Sequence, residues 1–399
     1  MNTIILILSL LGTLYGAWFV AVALLGSLKP YRAPAEHPPR TRFAVLIPAR
    51  NEENVVGHLV LSLLRQDYPR ELYDVIVIPN GCTDGTAEAA AAAGAKVLPC
   101  TVPTRSKGDV LRFAFSALGD TYDAYAILDA DNLADPGFLR AMNDVLCEGS
   151  EIAQACRDSK NPSDSWVAGD TSIFFWIMNR FYNRPRSALG MSAALNGTGI
   201  VLKRSLVEKL GWNVKSLTED LEFSGLCAAG GVKIAYAERA VVYDEQPVGL
   251  ADSMTQRRRW FSGTIQCFRS LTKPLLRRHS FHALGMQILF SGCVMQIVCL
   301  IPGIATVTQI LGSVIRGETT IGAVLALACG LGAAAWIACS AFALLVCALE
   351  KKLCRRRIPG ILLFPLFLVS WLPANLWALF TKPPKWKAIA HVRATDKPE

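Results

Sequence analysis

Two kinds of hydrophobic patterning alternate along the chain. Residues 1–28 contain no charged side chain, and at about 1.5 Å per residue a helix of that length crosses a hydrocarbon core of about 30 Å. A cleaved leader ending near Ala21-Val22-Ala23 is the rival reading, but the stretch lacks a basic start and is too long in its apolar part. Uncharged stretches return at 283–315, 319–349 and 358–380, each long enough to span. Between them, 41–246 mixes charges, short apolar runs and turn residues as a soluble domain does.

Within that middle region the periods of strand and helix take turns. The run 43–47, a helix over 55–66, the run 75–78, a helix over 86–93 ending at Gly94, a helix over 107–118 and the run 124–128 make a βαβ rhythm. The expected fold is α/β, a parallel sheet covered by helices on both faces, joined to an α-helical transmembrane domain. Ligands of such sheets bind beyond the carboxyl ends of the strands.

Composition and charge then narrow the class. Of 399 residues 52% are hydrophobic, and the formal net charge is +9. The basic excess sits beside the apolar stretches: Lys29, Arg32, Arg40 and Arg42, then Arg257, Arg258, Arg259, Arg277 and Arg278, then Lys351, Lys352, Arg355, Arg356 and Arg357. That distribution follows the positive-inside rule, places 41–246 in the cytoplasm of a multi-pass cell-membrane protein and argues against nucleic acid as a partner. The twelve cysteines form no CxxC pair, which points to packed, reduced thiols. His37, His58, His279, His282 and His391 show no metal-ligand spacing.

The polar residues that follow each apolar run carry the chemistry. After the first comes Pro48-Ala49-Arg50-Asn51-Glu52, and after the second Pro79-Asn80-Gly81-Cys82-Thr83-Asp84-Gly85-Thr86. Asp129-Ala130-Asp131 follows the run 124–128, offering two hard oxygen ligands to Mg²⁺ or Mn²⁺ bridged to a diphosphate. Asn196-Gly197-Thr198-Gly199 precedes another apolar run and suggests close backbone approach. Thr218-Glu219-Asp220 opens a helical stretch in which Thr218 reads as the N-cap. Gln256-Arg257-Arg258-Arg259-Trp260 lies in a basic amphipathic segment before the second apolar stretch.

In this order, with Ser106-Lys107-Gly108 between the second and third motifs, the sequence resembles the family 2 inverting glycosyltransferases, and within them the membrane-bound polysaccharide synthases for cellulose, chitin, hyaluronan and poly-N-acetylglucosamine. The resemblance is good over 41–268 and looser in the tail, where Ala378, Leu379, Phe380, Thr381, Lys382 and Trp386 look like a gating or interfacial segment. It implies a GT-A nucleotide-diphospho-sugar transferase domain and a metal-dependent hexosyl- or N-acetylhexosaminyltransferase. The donor would be a UDP-sugar and the acceptor a growing glycan, or alternatively a lipid-linked acceptor receiving one sugar. Carried over by motif, Pro48, Arg50, Glu52, Asn80, Asp84 and Lys107 line the donor pocket. Asp129 and Asp131 hold metal and nucleotide, Asp220 with Glu219 beside it is the catalytic base, and Gln256, Arg259 and Trp260 meet the diphosphate and the acceptor sugar. Inversion needs one base and no protein nucleophile, a departing diphosphate needs positive charge, and Trp260 offers a flat face to a sugar ring. Many family members carry an acidic pair where this chain has Pro79-Asn80, though an Asn side chain still hydrogen-bonds a base edge.

The expected organisation is a first span over 1–28, a cytoplasmic catalytic domain over 41–246, an interface segment over 247–282, a membrane region over 283–380 and a basic tail over 381–399. One conflict remains in it. Three full spans after the catalytic domain would leave Lys382, Lys385, Lys387 and Arg393 outside, against the positive-inside rule. Pro365 and Pro373 interrupt the last stretch, so it is expected to be broken or re-entrant.

Overall fold

The computed structural model describes residues 2–381. The basic tail from Lys382 onward, with Trp386 and His391, lies outside the described residues. Helix α1 (Asn2–Ser27) leads through an extended segment into the α/β domain, whose first half is β1 (Phe43–Ala49), α2 (Val56–Leu64), β2 (Tyr73–Pro79), α3 (Thr86–Ala92), β3 (Lys96–Val97), α4 (Lys107–Leu118) and β4 (Ala124–Ile127). The second half follows as β5 (Leu133–Ala134), α5 (Phe138–Cys147), β6 (Ile152–Ser159), α6 (Trp166–Ile177), a π-helical turn and α7 (Arg184–Ala188), β7 (Ile200–Lys203), α8 (Arg204–Leu210), α9 (Glu219–Gly230) and β8 (Ala235–Asp244).

The eight strands form one sheet in the order β3-β2-β1-β4-β7-β6-β8-β5. The first four are parallel, but β7 runs antiparallel to both β4 and β6. The wholly parallel sheet expected from the sequence is corrected here. The chain enters β7 from the carboxyl end of β4, with Ile200 opposite Ile127, because Gly197 and Gly199 take φ of +94° and +64° and turn it back. That reversal brings the 196–199 loop beside the residues that follow β4.

Alternation along β1 explains the two cores. Phe43, Val45 and Ile47 pack against α2 and α5 on one face, while Ala44 and Leu46 pack against α4, α8 and α9 on the other. All five are fully buried.

After β8 the chain becomes helical: α10 (Leu250–Arg277), α11 (Phe281–Phe290), α12 (Gly292–Ile315), α13 (Ile321–Leu349), α14 (Ile358–Val369) and α15 (Trp371–Phe380). The uncharged stretch 283–315 is two helices rather than one span. Ala283, Met286 and Phe290 of α11 are buried with Cys267, Leu271 and Leu275 of α10, so α11 belongs to the interface and α12 alone has length and apolarity to cross a membrane. Among the described residues four segments meet that criterion, namely Thr3–Ser27, Gly292–Ile315, Ile321–Leu349 and Arg355–Phe380. The last is divided at Ser370. Pro373 has no N–H for the carbonyl of Val369, four residues back, and its ring crowds that carbonyl.

Candidate active site

The turn after β1 and the turn after β2 are locked into one clamp. Asn51 sits at φ +59°, a left-handed conformation that Asn tolerates better than most residues, and its Oδ1 accepts from the Thr83 amide at 2.8 Å. The Glu52 amide donates to Thr86 Oγ1 at 2.9 Å, and Glu53 Oε2 accepts from the Gly85 amide at 2.8 Å. The Asp84 carboxylate accepts from the amides of Glu53 and Thr86, both at 3.2 Å, and from the Thr86 hydroxyl. Burial alone would lift the Asp84 pKa, but these hydrogen bonds outweigh it and hold the carboxyl below its ordinary range. Asn80 donates its amide to the Ala49 carbonyl at 2.9 Å and accepts from Thr104 Oγ1 at 2.7 Å. Pro48 stands in register with Ile78 on β2, and Arg50 is exposed at the rim.

At the end of β4, Asp131 is only 5% exposed and accepts from the Asn132 side-chain amide at 3.1 Å. The same amide donates to Asp244 Oδ1 at 2.8 Å, and the Asp129 backbone amide donates to Thr198 Oγ1 at 3.1 Å. Lys107, the first residue of α4, is set by its neighbour Ser106, which caps that helix by accepting from the Asp109 amide. Its amine donates to Asp129 Oδ1 at 2.5 Å and to the Gly197 carbonyl at 2.8 Å, and lies 3.9 Å from Glu219 Oε1. Three motifs far apart in sequence therefore converge on one ammonium group. Burial opposes the charge on Lys107, but Asp129 and Glu219 outweigh it and keep the amine protonated. In the same way burial opposes ionisation of Asp129, and Lys107 overcomes it, holding the carboxyl below its usual value.

Glu219 and Asp220 form the first turn of α9. Burial pushes Glu219 up to about 7, against the pull of Lys107 and with the help of Asp220's charge, and burial likewise raises Asp220. Asp220 Oδ2 and Arg157 Nη1 flank Gly197, at 3.9 and 3.6 Å from the position a Cβ would take there. Thr218 occupies the N-cap position but makes no side-chain capping bond, so the expected capping role is corrected. Its side chain instead faces α10 at Gly263. The preceding loop is held by Glu222, whose Oε2 accepts from the amides of Lys215 and Ser216 at 2.7 and 2.6 Å.

On α10, Gln256 and Arg259 are half-buried, with Gln256 Oε1 and Arg259 Nε unpartnered and out of solvent. The charge of Arg259 acts on both Asp129 and Glu219. Trp260 stacks one face on Phe174 at 6.4 Å and meets Phe175 and Trp371 at 6.0 and 6.1 Å, which anchors the half-buried ring in an aromatic cluster between α6, α10 and α15.

Two residues beside this cluster, Arg157 and Asp244, carried no motif. Arg157, at the end of β6, is bound to the Asp244 carboxylate and to the Asn196 carbonyl, and its guanidinium lies 3.8 Å from the Phe175 ring centre. It bridges the base region to the aromatic cluster. Asp244 was readable only as a charge closing an apolar strand. Arg257, between Gln256 and Arg259, is 1% exposed and bonds into the α14–α15 break.

For a divalent cation the donor set is two carboxylates, Asp129 and Asp131, and among the described residues no group of three acidic, His or Cys side chains is assembled. Such a set fits Mg²⁺ or Mn²⁺, which take their remaining oxygens from water and a substrate diphosphate.

The chain is similar to known transferases at three levels. It is 25% identical over 235 residues to the probable glycosyltransferase YdaM of Bacillus subtilis, covering 56% of this chain and 55% of that protein. It is 25% identical over 241 residues to the beta-monoglucosyldiacylglycerol synthase of Nostoc, covering 56% and 49%. It is 24% identical over 165 residues to human hyaluronan synthase 3, covering 39% and 30%. The chain thus spans about half the length, or less, of these relatives. In fold it is similar to the Pyrobaculum calidifontis mannosyltransferase PcManGT, solved with GDP-Man and Mn²⁺, with a TM-score of 0.59, 19% identity and coverage of 93% and 99%. The α/β domain is of the GT-A type. Residues 38–263 match the family described as Glycosyltransferase like family 2, and the chain belongs to that family.

Proposed function

We propose that the protein is a membrane-bound inverting glycosyltransferase that moves one sugar from a nucleotide-diphosphate donor to a lipid-linked acceptor at the membrane surface. The observation that carries this reading is the meeting of Asp129, the Gly197 carbonyl and Glu219 at Lys107, next to Asp220. The clamp of the two first loops, with Pro48, Arg50, Glu52, Asn80 and Asp84, receives the nucleotide. Asp131 and Asp129 would hold the divalent ion, whose chemistry when bound is to neutralise the diphosphate as it leaves. Lys107 and Arg259 add fixed positive charge to the same leaving group. Asp220 takes the proton from the acceptor hydroxyl as it attacks the anomeric carbon from the opposite side, and its raised pKa suits a general base. A cytoplasmic location for this domain is supported by the basic residues flanking the apolar segments.

The choice of a lipid-linked acceptor over a growing polymer rests on the membrane helices. Among themselves they pair as α1 with α12 and α13 with α14, and the most apolar windows of α1 and α12 are 0% buried, against 22% for α13 and 44% for the last segment, which also packs on α6 and α10. A conduit for a polymer needs helices that bury one another around it. A relative named as a beta-monoglucosyldiacylglycerol synthase is consistent with it. Purified protein supplied with UDP- and GDP-sugars, lipid extract and Mn²⁺ should form a product one sugar heavier than its acceptor and stop when the metal is chelated. A ladder of lengths would restore the polymer reading.

A further inference from the structure

The fourth apolar segment is long enough to cross a membrane, yet its beginning, middle and end are all fastened to the same place. At its beginning, the Arg357 guanidinium lies 5.7 Å from the ring of Trp176 on α6. At its middle, Arg257 of α10 donates through Nη1 to the Phe367 carbonyl at 3.1 Å and to Ser370 Oγ at 2.8 Å. At its end, Arg258 Nη2 donates to Thr381 Oγ1 at 2.7 Å. Helices α6 and α10 themselves touch at Phe175 and Trp260, 6.0 Å apart. Neither can be a span: α6 packs on the sheet strand β6, and α10 carries Asp252, Arg258, Arg259, Arg269, Lys273 and Arg277. A helix crossing the hydrocarbon would carry its two ends about 30 Å apart, on opposite sides.

The break has a physical cause and a physical support. Interrupting the helix at Ser370 deprives the last carbonyls of α14 of their partners, and the buried Arg257 cation satisfies one of them while complementing the negative end of the helix dipole. Asp170 is wholly buried on α6 beside Gly360 of α14, where burial pushes its carboxyl up to about 8 against the pull of Arg257. At about 18 Å and about 15 Å, the twelve and ten residues of α14 and α15 are each too short to cross alone. Their inner faces are committed: Phe364 and Phe367 pack with α6 and α13, and Asn375 donates to Gln296 of α12 at 3.0 Å. Their outer faces expose Leu362, Leu366, Leu368, Val369, Leu372 and Trp377, each between 40% and 64%.

We infer that α14 and α15 form a re-entrant hairpin whose apolar outer face is seated in the acyl chains of the single leaflet next to the catalytic domain, so that the chain crosses the membrane three times and its carboxyl terminus returns to the catalytic side. The three crossings are α1, α12 and α13. The last ends beside the catalytic domain, where Lys352 donates to Asp158 at 2.7 Å. The basic tail then obeys the charge rule it would otherwise break.

Topology reporters test this without reading activity, so the result stands apart from the proposed transfer reaction. Green fluorescent protein and alkaline phosphatase are fused in turn to the carboxyl terminus of the full chain, and inserted in turn after Glu318 in the loop between α12 and α13. Opposite reports from the two positions are expected, because only one crossing separates them. The same report from both positions means a fourth crossing and overturns the hairpin.

Discussion

At the scale of single residues, the site is a balance of buried charges. The Lys107 ammonium is shared by Asp129 and the acidic pair at the head of α9, so ionisation there is coupled. Burial lifts Glu219 to about 7 and lifts Asp220 as well. A base must be ionised to act, so the acid limb of kcat/KM against pH should lie above the ordinary carboxylate range, with activity rising toward neutrality. Stability should move oppositely. A carboxyl whose folded pKa exceeds its unfolded value of 4.5 favours the fold below that pH, and the contribution is lost as pH climbs toward about 7. In Glu219→Gln that part of the pH dependence of melting should disappear. If the melting profile between pH 4.5 and 7 were unchanged in the variant, the buried position assigned to Glu219 would be wrong. Much of the arrangement was legible in the sequence, because motifs at element ends announce themselves by position: Asp129 and Asp131 follow β4, Lys107 opens α4 and Asp220 lies in the first turn of α9. Arg157 and Asp244 were not, since a partnership 87 residues apart has no local signature.

At the scale of elements, the helix bearing Gln256 and Arg259 is set against the catalytic helix by a glycine. A Cβ on Gly263 would lie 2.2 Å from Thr218 Oγ1 and 2.8 Å from Thr218 Cβ, immediately before Glu219. Gly263→Ala should therefore push α10 away from the head of α9, lowering stability by about 1–3 kcal/mol as overpacking does. It should also lower kcat well beyond what the loss of folded protein explains. Normal turnover per folded molecule would show that the α9–α10 contact does not position the site. Periodicity and caps located the elements closely, and α4 has the bounds read from the sequence, fixed by Ser106 at its start. The direction of β7 and the division of 283–315 were not legible. Period-2 alternation is the same for parallel and antiparallel strands, and an uncharged helix buried in an interface looks like one buried in lipid until its neighbours are known.

At the scale of the molecule, a mixed-sheet transferase domain rests on apolar helices through α10 and α11, and the family assignment covers residues 38–263. The sequence alone separated the soluble and apolar regions, and charge placement supported an orientation. It left open how the final apolar segment runs, because the answer depends on Arg257, Arg258 and Arg357 meeting partners more than a hundred residues away or on another helix. The central claim is that Asp220 removes the acceptor proton during sugar transfer. Release of nucleoside diphosphate by wild-type protein and by Asp220→Asn, in membranes with acceptor lipid and Mn²⁺, tests it most directly. The account predicts a loss of about 10²–10⁴-fold in kcat with donor binding retained; wild-type release by the variant, bound to the same donor, would contradict it.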